Sequence, residues 1–222
     1  MPAARRAVLF DLDGTLVDSA PDLCNAINRV VVDLGHVPVP LSRLREVVSK
    51  GGRAMLAAAL PQLSDDDRAP LLAPFLAHYA QALAVDSVVF DGVADLLDGL
   101  EARGLRWGIV TNKPEALARA VVEGFGWSRR SAVLIGGDTL PRHKPEPDQL
   151  LLACEQMDLA PSEVIYVGDD LRDVQAARAA GMVSVAALWG YREPHDDPST
   201  WGADHAFANA REILSTPGLL SA

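Results

Sequence analysis

The sequence predicts an α/β protein whose doubly wound parallel sheet carries an inserted, all-helical cap. From residue 86 onward, short apolar runs alternate with segments of helix length, which is the pattern of strand–helix–strand units joined by right-handed crossovers. Between residues 19 and 85 the apolar pattern is helical throughout. We therefore predict a core formed by residues 1–18 and 86–222, and a cap formed by residues 19–85.

The elements can be placed in order along the chain. The first strand, AVLFD, is a continuous apolar run that suits a central parallel strand buried on both faces. In the cap, a helix capped by Asp18 or Ser19 stops at Gly35, two short helices are split by Gly51 and Gly52, and a fourth runs through APLLAPFLAHYAQALA. The later strands are predicted in LRWGIVT, SAVLIGG, EVIYVGDD, VSVAAL and the start of ADHAFANAREIL.

Composition narrows the class of protein. The chain has 222 residues, 49% of them hydrophobic and 23% charged, and a net charge of −10. The acidic composition does not indicate the basic face of a nucleic-acid binder. No apolar stretch reaches the ~20 residues of a membrane span. Cys24 and Cys154 have no CxxC spacing, so we expect reduced thiols in a cytoplasmic protein. A monomer and a homodimer are both compatible with the sequence.

Polar side chains stand at the predicted carboxyl ends of successive strands. They are Asp11 and Asp13, then Thr111, then Lys144 in a loop, then Asp169, Asp170 and Asp173. In a doubly wound sheet, ligands bind outside these strand ends. Each feature alone is usually a turn or a surface residue, but their succession at one sheet edge favours a single functional site.

This set of residues permits phosphoryl transfer. Asp11 can attack phosphorus, and Asp13 can protonate the leaving oxygen and later deprotonate water. Thr111 can donate a hydrogen bond to a phosphoryl oxygen, as can the backbone amides of Leu12 and Asn112. Lys144 offers positive charge to the phosphoryl group and to the nucleophile.

A divalent cation also fits the acids. Mg²⁺ prefers carboxylate oxygens, water and substrate phosphate. We expect Asp11 and Asp169 to supply carboxylate ligands and Asp13 to supply its backbone carbonyl. Gly14 allows a sharp turn and leaves room for a substrate near the main chain.

Four motifs resemble those of the haloacid dehalogenase superfamily, in the family's order. They are DLDGTLVDS, Thr111 in IVTN, Lys144 in HKPEP, and GDDLRD with Asp169 and Asp173. The resemblance implies a Rossmann-like core, a helical cap like that of the family's small-molecule phosphatases, and Mg²⁺ as cofactor. It also implies that Asp11 is the nucleophile, Asp13 the general acid/base and Asp169 a metal ligand. Asp173 would bond metal-bound waters or Lys144, and Asp170 could replace it in part.

Within the superfamily the chain is similar to two groups of phosphatases. GIVTNKP, YVGDDLRD and AALWGY resemble bacterial phosphoglycolate phosphatases, whereas REVVS, the following RAM and VGDDLRD also resemble N-acetylmuramic acid 6-phosphate phosphatases. The resemblance implies hydrolysis of a small anionic phosphomonoester. 2-Phosphoglycolate is the expected substrate, and N-acetylmuramic acid 6-phosphate is the alternative.

The cap segment SKGGRAM is the candidate for substrate selection. Gly51 and Gly52 precede a helix whose start carries free amides, and Lys50 and Arg53 add positive charge. The segment could bind a substrate carboxylate, or it could be an ordinary helix break with solvated cations. Asn112 and Lys113, which directly follow Thr111, could also face the ligand.

Three other functions share parts of this pattern. A dehalogenase uses an aspartate nucleophile but needs neither metal nor a second aspartate, so Asp13 argues against it. A phospho-acceptor signalling domain also places Asp, Thr and Lys at strand ends, but it is about half as long and has no helical insert. A phosphomutase would return the phosphoryl group to a sugar instead of water.

Overall fold

The computed structural model describes residues 5–220 and places a six-stranded parallel sheet at the centre of the molecule. The strands of the chain are β1 (Ala7–Phe10), β2 (Val17–Asp18), β3 (Val88–Val89), β4 (Arg106–Val110), β5 (Leu134–Ile135), β6 (Val164–Gly168), β7 (Val183–Ala187) and β8 (His205–Phe207). The order in the main sheet is β5-β4-β1-β6-β7-β8, and β2 pairs with β3 in a separate antiparallel ribbon. The predicted doubly wound α/β class is confirmed.

Ten α-helices are found within residues 5–220. They are α1 (Ala20–Asp33), α2 (Leu41–Arg45), α3 (Gly52–Ala59), α4 (Asp65–Arg68), α5 (Leu72–Ala80), α6 (Val93–Ala102), α7 (Glu115–Gly124), α8 (Asp148–Met157), α9 (Leu171–Ala180) and α10 (Glu212–Ser215). None of these helices has the length and apolar character needed to cross a membrane.

β1 is the central strand that its unbroken apolar run predicts. All four of its residues are completely buried, and it pairs in parallel with β4 on one side and β6 on the other. The backbone continues this pairing just beyond the strand, where the amide of Asp11 donates to the carbonyl of Val167 at 2.9 Å. The sheet therefore fixes the position of the first aspartate to within one residue of a buried strand.

Helices α1–α5 enclose an apolar cluster of their own, which includes Leu23, Ile27, Leu56, Phe75 and Tyr79. The chain enters these helices after β2 and leaves them before β3, so the two crossings lie side by side. This arrangement supports a separate cap, whose boundaries at residues 19 and 85 remain a prediction.

The exit from the cap is fastened by the carboxylate of Asp22 on α1. Its Oδ2 accepts from the amides of Val85 and Ser87, both at 3.0 Å, and its Oδ1 accepts from the amide of Asp86 at 2.8 Å. The hydroxyl of Ser87 donates to the same carboxylate. Asp22 is buried, so these bonds supply the polar partners that an irregular segment needs when it leaves water.

Two predicted elements differ from the structure. The fourth cap helix begins only at Leu72, because Pro70 lies in a preceding 3₁₀ turn (Ala69–Leu71), and the short helix α4 was not predicted. The strand predicted in SAVLIGG is reduced to β5, because Gly136 and Gly137 leave the sheet and pack against the backbone of Glu115 and Asn112. Neither change moves a predicted site residue to another strand end.

Candidate active site

The predicted residues converge at the carboxyl ends of β4, β1 and β6, under the cap. All of them except Asp169 border a cavity of about 460 Å³. The floor is polar and includes Asp11, Asp13, Thr111, Lys113 and Lys144. The opposite wall comes mostly from the cap and is apolar, with Leu23, Met55, Leu72, Phe75 and Leu76. The site thus has one half suited to an anion and one half suited to apolar surface.

Lys144 lies buried between two carboxylates. Its Nζ is 3.1 Å from Asp11 Oδ1 and 2.7 Å from Asp173 Oδ1, and it donates to the hydroxyl of Tyr166 at 2.8 Å. Burial by itself would lower the pKa of this ammonium, but the attraction of Asp11 and Asp173 outweighs burial and raises the pKa. Lys144 is therefore a permanent positive charge beside Asp11.

Three carboxylates form an all-oxygen cluster. Asp11, Asp169 and Asp173 each offer an oxygen, and these oxygens lie within 4.8 Å of one another. Burial, together with the negative charges of Asp11 and Asp173, raises the pKa of Asp169 well above its usual range. Burial likewise raises the pKa of Asp173 to about 6, although Lys144 opposes the shift. Such crowding of buried carboxylates is relieved by a hard cation, and their oxygen ligands suit Mg²⁺.

The surroundings of Asp169 are shaped closely around its carboxylate. A Cβ at Gly14 would lie 2.1 Å from Oδ2, and one at Gly190 would lie 2.3 Å from the Cβ of Asp169. Three donors contact its oxygens: Thr15 Oγ1 at 3.0 Å, Ser49 Oγ at 2.7 Å and the amide of Tyr191 at 3.0 Å. Gly14 is thus needed both for space and for its φ of +86°.

Asp13 lies outside that cluster and binds Lys113. The ammonium of Lys113 is 3.0 Å from each oxygen of the Asp13 carboxylate, and Ser19 Oγ donates to Oδ1 at 2.6 Å. Ser19 is the residue that precedes α1, as predicted, but its hydroxyl serves Asp13 and does not cap the helix. A metal contact through the backbone carbonyl of Asp13 remains a prediction.

Thr111 and Asn112 have different surroundings. Thr111 is buried at the end of β4, and its Oγ1 accepts from the amide of Lys113 at 3.3 Å. The side chain of Asn112 makes two hydrogen bonds with the backbone of Lys144, at 2.9 and 3.1 Å, so it holds the loop that carries Lys144 in place. The amide of Leu12 donates to Asp11 Oδ1 at 2.7 Å. Direct contacts of Asn112 and Lys113 with substrate remain predictions.

The cap segment SKGGRAM reaches the core, where Lys50 already has acidic partners. Lys50 Nζ lies 2.8 Å from Asp170 Oδ2 and 3.7 Å from Asp196 Oδ2. Gly51 directly precedes α3 and has a φ of +87°, and both it and the exposed Arg53 border the cavity. A substrate-binding role for Lys50, Gly51 and Arg53 therefore remains a prediction, and Lys50 would have to give up part of this ion pair.

The two acids after Asp169 divide their roles. Asp170 pairs with Arg172 and Lys50; although burial acts to raise its pKa, these cations lower it to about 2. Asp173 belongs to the acid cluster and also accepts from the amide of Asp170 at 3.0 Å, which caps α9. This geometry favours Asp173 over Asp170 as the residue that supports a metal.

Several contributing residues were missed in the sequence. Gln149 donates to the carbonyls of Thr111 and Gly136, at 3.2 and 2.6 Å, and accepts from the amide of Lys144 at 3.2 Å, so it joins the ends of β4 and β5 to the loop that carries Lys144. Tyr79 accepts from Lys113 Nζ at 2.8 Å. A tyrosine on a mostly apolar cap helix was a usable signal, because its hydroxyl needs a partner when buried. Gln149 gives no such signal, because a glutamine in the first turn of a helix is ordinarily solvated.

Comparison with known proteins identifies the family. Residues 5–181 match the family model described as haloacid dehalogenase-like hydrolase. The phosphoglycolate phosphatase of Xanthomonas campestris pv. campestris is 53% identical over 199 residues, which cover 90% of each chain. The N-acetylmuramic acid 6-phosphate phosphatase of Pseudomonas aeruginosa is 44% identical, covering 94% of this chain and 93% of its own. The crystal structure of a predicted phosphoglycolate phosphatase from Haemophilus somnus superposes with a TM-score of 0.84 at 28% identity, covering 95% and 97%.

The chain belongs to the haloacid dehalogenase-like hydrolase family. Within that family it is a phosphoric monoester hydrolase, in agreement with the relatives that match it over nearly their whole length.

Proposed function

We propose that this enzyme hydrolyses 2-phosphoglycolate to glycolate and phosphate, with Mg²⁺ as cofactor. The single observation that carries the phosphatase chemistry is the buried arrangement of Asp11, Lys144 and Asp173, in which one ammonium holds a nucleophile beside an acid cluster. The substrate is proposed from the names of relatives that are 49–53% identical. A carboxylate next to the phosphate would be received by the cations of the cap segment.

In the first step, Asp11 attacks phosphorus through one carboxylate oxygen and forms an aspartyl-phosphate. The bond from phosphorus to the substrate oxygen breaks, and Asp13, in the protonated form that the second step regenerates, gives its proton to that oxygen. Thr111 and the neighbouring amides donate hydrogen bonds to the phosphoryl oxygens, which carry more charge in the transition state. Lys144 reduces the repulsion between the anionic nucleophile and the anionic substrate.

In the second step, water attacks phosphorus while the carboxylate of Asp13 accepts its proton. Cleavage of the oxygen–phosphorus bond returns Asp11 and releases phosphate, so both aspartates end in their starting states. Asp11, Asp169 and Asp173 would hold Mg²⁺, aided by the carbonyl of Asp13, and the ion would supply charge that stabilises the transferring phosphoryl group.

Asp11→Asn tests the nucleophile. The variant should fold normally by circular dichroism but release no phosphate above background from 2-phosphoglycolate in the presence of Mg²⁺. Wild-type turnover should vanish when a chelator removes the metal. Undiminished activity in the Asp11→Asn variant would refute the assigned nucleophile, and full activity in excess chelator would favour dehalogenase-like, metal-free chemistry.

The cavity favours a second candidate substrate, N-acetylmuramic acid 6-phosphate. The cavity has a volume of about 460 Å³, which is more than a two-carbon leaving group fills, and its apolar cap wall would remain without a contact from such a group. A relative named for that substrate is 44% identical over 210 residues. Comparing kcat/KM for the two phosphomonoesters separates them, and a large preference for the sugar phosphate would replace the first substrate without changing the mechanism.

A cytoplasmic location and a monomeric or homodimeric state are proposed on the sequence alone. The same holds for the absence of nucleic-acid and membrane partners. Size-exclusion chromatography with light scattering would measure the mass in solution.

A further inference from the structure

The hydroxyl of Tyr79 connects the cap to the catalytic floor. Tyr79 lies on α5 and is 1% exposed, and its hydroxyl accepts from Lys113 Nζ at 2.8 Å. The same ammonium is 4.3 Å from the centre of the tyrosine ring. A cap side chain thus holds a core lysine through both its oxygen and its aromatic face.

Lys113 passes this contact on to Asp13. A lysine ammonium has three N–H donors, and here it has three acceptors: Tyr79 Oη at 2.8 Å and both oxygens of Asp13 at 3.0 Å. The ammonium is therefore fully engaged and held in one direction.

We propose that Tyr79 is a positioning residue for the acid/base step: by orienting Lys113, it places the carboxyl group of Asp13 for proton transfer. The acid/base step therefore depends on how α5 packs against the core. The inference rests on the proposed role of Asp13. The other side-chain donor to Asp13 is Ser19, just before α1, so one contact of the acid comes from the cap boundary and the other from a core lysine that a cap tyrosine holds. Loss of the tyrosine hydroxyl removes the acceptor of one buried N–H group of Lys113. The ammonium can then turn away from Asp13.

Tyr79→Phe tests this positioning because it removes the hydroxyl and keeps the ring. The informative measurement is the single-turnover release of leaving groups that differ in basicity. Glycolate leaves phosphorus as an alkoxide and needs a proton from Asp13, whereas p-nitrophenolate leaves without one. We expect release of glycolate from 2-phosphoglycolate to slow by about tenfold or more, and release of p-nitrophenol to slow by less than about threefold. Equal slowing of both substrates would overturn the inference.

Tyr191→Phe is the matched control. Its hydroxyl also lies at the junction of cap and core, but it bonds the amide of Ala20 and the carboxylate of Asp18, at 2.9 and 2.8 Å. Its effect on the two leaving groups should be equal. If Tyr191→Phe shows the same dependence on leaving-group basicity as Tyr79→Phe, general loosening of the cap explains the result and the contact with Lys113 does not.

Two further variants keep the outcome interpretable. Asp13→Asn should show a stronger form of the same leaving-group dependence; if it shows none, the proposed role of Asp13 fails, and the inference fails with it. Lys113→Met and the double variant Tyr79→Phe/Lys113→Met should release glycolate at equal rates, because the tyrosine acts through the lysine. An additional loss in the double variant would show that Tyr79 acts independently. Lys113→Met also provides the test if Tyr79→Phe does not fold.

Discussion

Replacing Asp22 by asparagine should lower the free energy of unfolding by about 2–3 kcal/mol. In the native carboxylate, one oxygen accepts from Val85, Ser87 and the Ser87 hydroxyl, while the other accepts from Asp86. An asparagine has one acceptor oxygen, so its NH₂ group must face at least one of these donors. Hydrogen bonds to a charged acceptor contribute roughly 1.5–3 kcal/mol each, and an unsatisfied buried amide costs roughly 1–3 kcal/mol.

Urea denaturation monitored by circular dichroism at pH 7 measures the change. Asp86→Asn is the matched control, because Asp86 is exposed and its side chain accepts only from Asn25 at 2.9 Å within the described residues. It should change the free energy of unfolding by less than about 0.5 kcal/mol. The reasoning is refuted if Asp22→Asn also loses less than that, or if both variants lose the same amount at unchanged m-value.

Three further results are expected. Mg²⁺ at a hundred times its Kd should stabilise the wild type by about 2.7 kcal/mol in thermal melts, and Gly14→Ala should show much less of this gain because its Cβ would meet Asp169; an equal gain would contradict the metal site. Lys144→Met should cost roughly 3–5 kcal/mol, since it leaves Asp11 and Asp173 buried without their cation, and Mg²⁺ should restore part of the loss. Burial raises the pKa of Cys154 to about 11, so its thiol stays protonated at pH 8 and should react with iodoacetamide only after unfolding, whereas rapid labelling of the native protein would show that the thiol is accessible.

The core of this fold is predictable from the sequence because it is set by local pattern. β1 is apolar at every position and is buried on both faces, and glycines end α1 and α9 where the chain turns with positive φ. The lengths of strands and helices were less predictable, because contacts made elsewhere in the chain limit β5 and the fourth cap helix. Gly137, for example, leaves the sheet where its amide bonds the carbonyl of Lys113 at 2.7 Å.

The site shows the same division. Asp11, Thr111, Lys144 and Asp169 could be placed together because parallel strand ends share one edge of the sheet. Partners that come from the cap could not, because no local pattern predicts how the cap packs on the core. The contact between Tyr79 and Lys113 joins positions far apart in the chain, and the pairing of Lys50 with Asp170 likewise depends on how the cap packs on the core.

The ribbon of β2 and β3 has a consequence for how this protein can change. Because the chain enters and leaves the cap through two paired segments, the length and content of helices α1–α5 can vary without altering the order of strands in the main sheet. Recombination or engineered grafting at this junction could thus exchange the apolar wall while leaving the strand-end aspartates in place. Transplanted caps would succeed only where they also supply equivalents of the contacts that Ser19 and Tyr79 make with the floor.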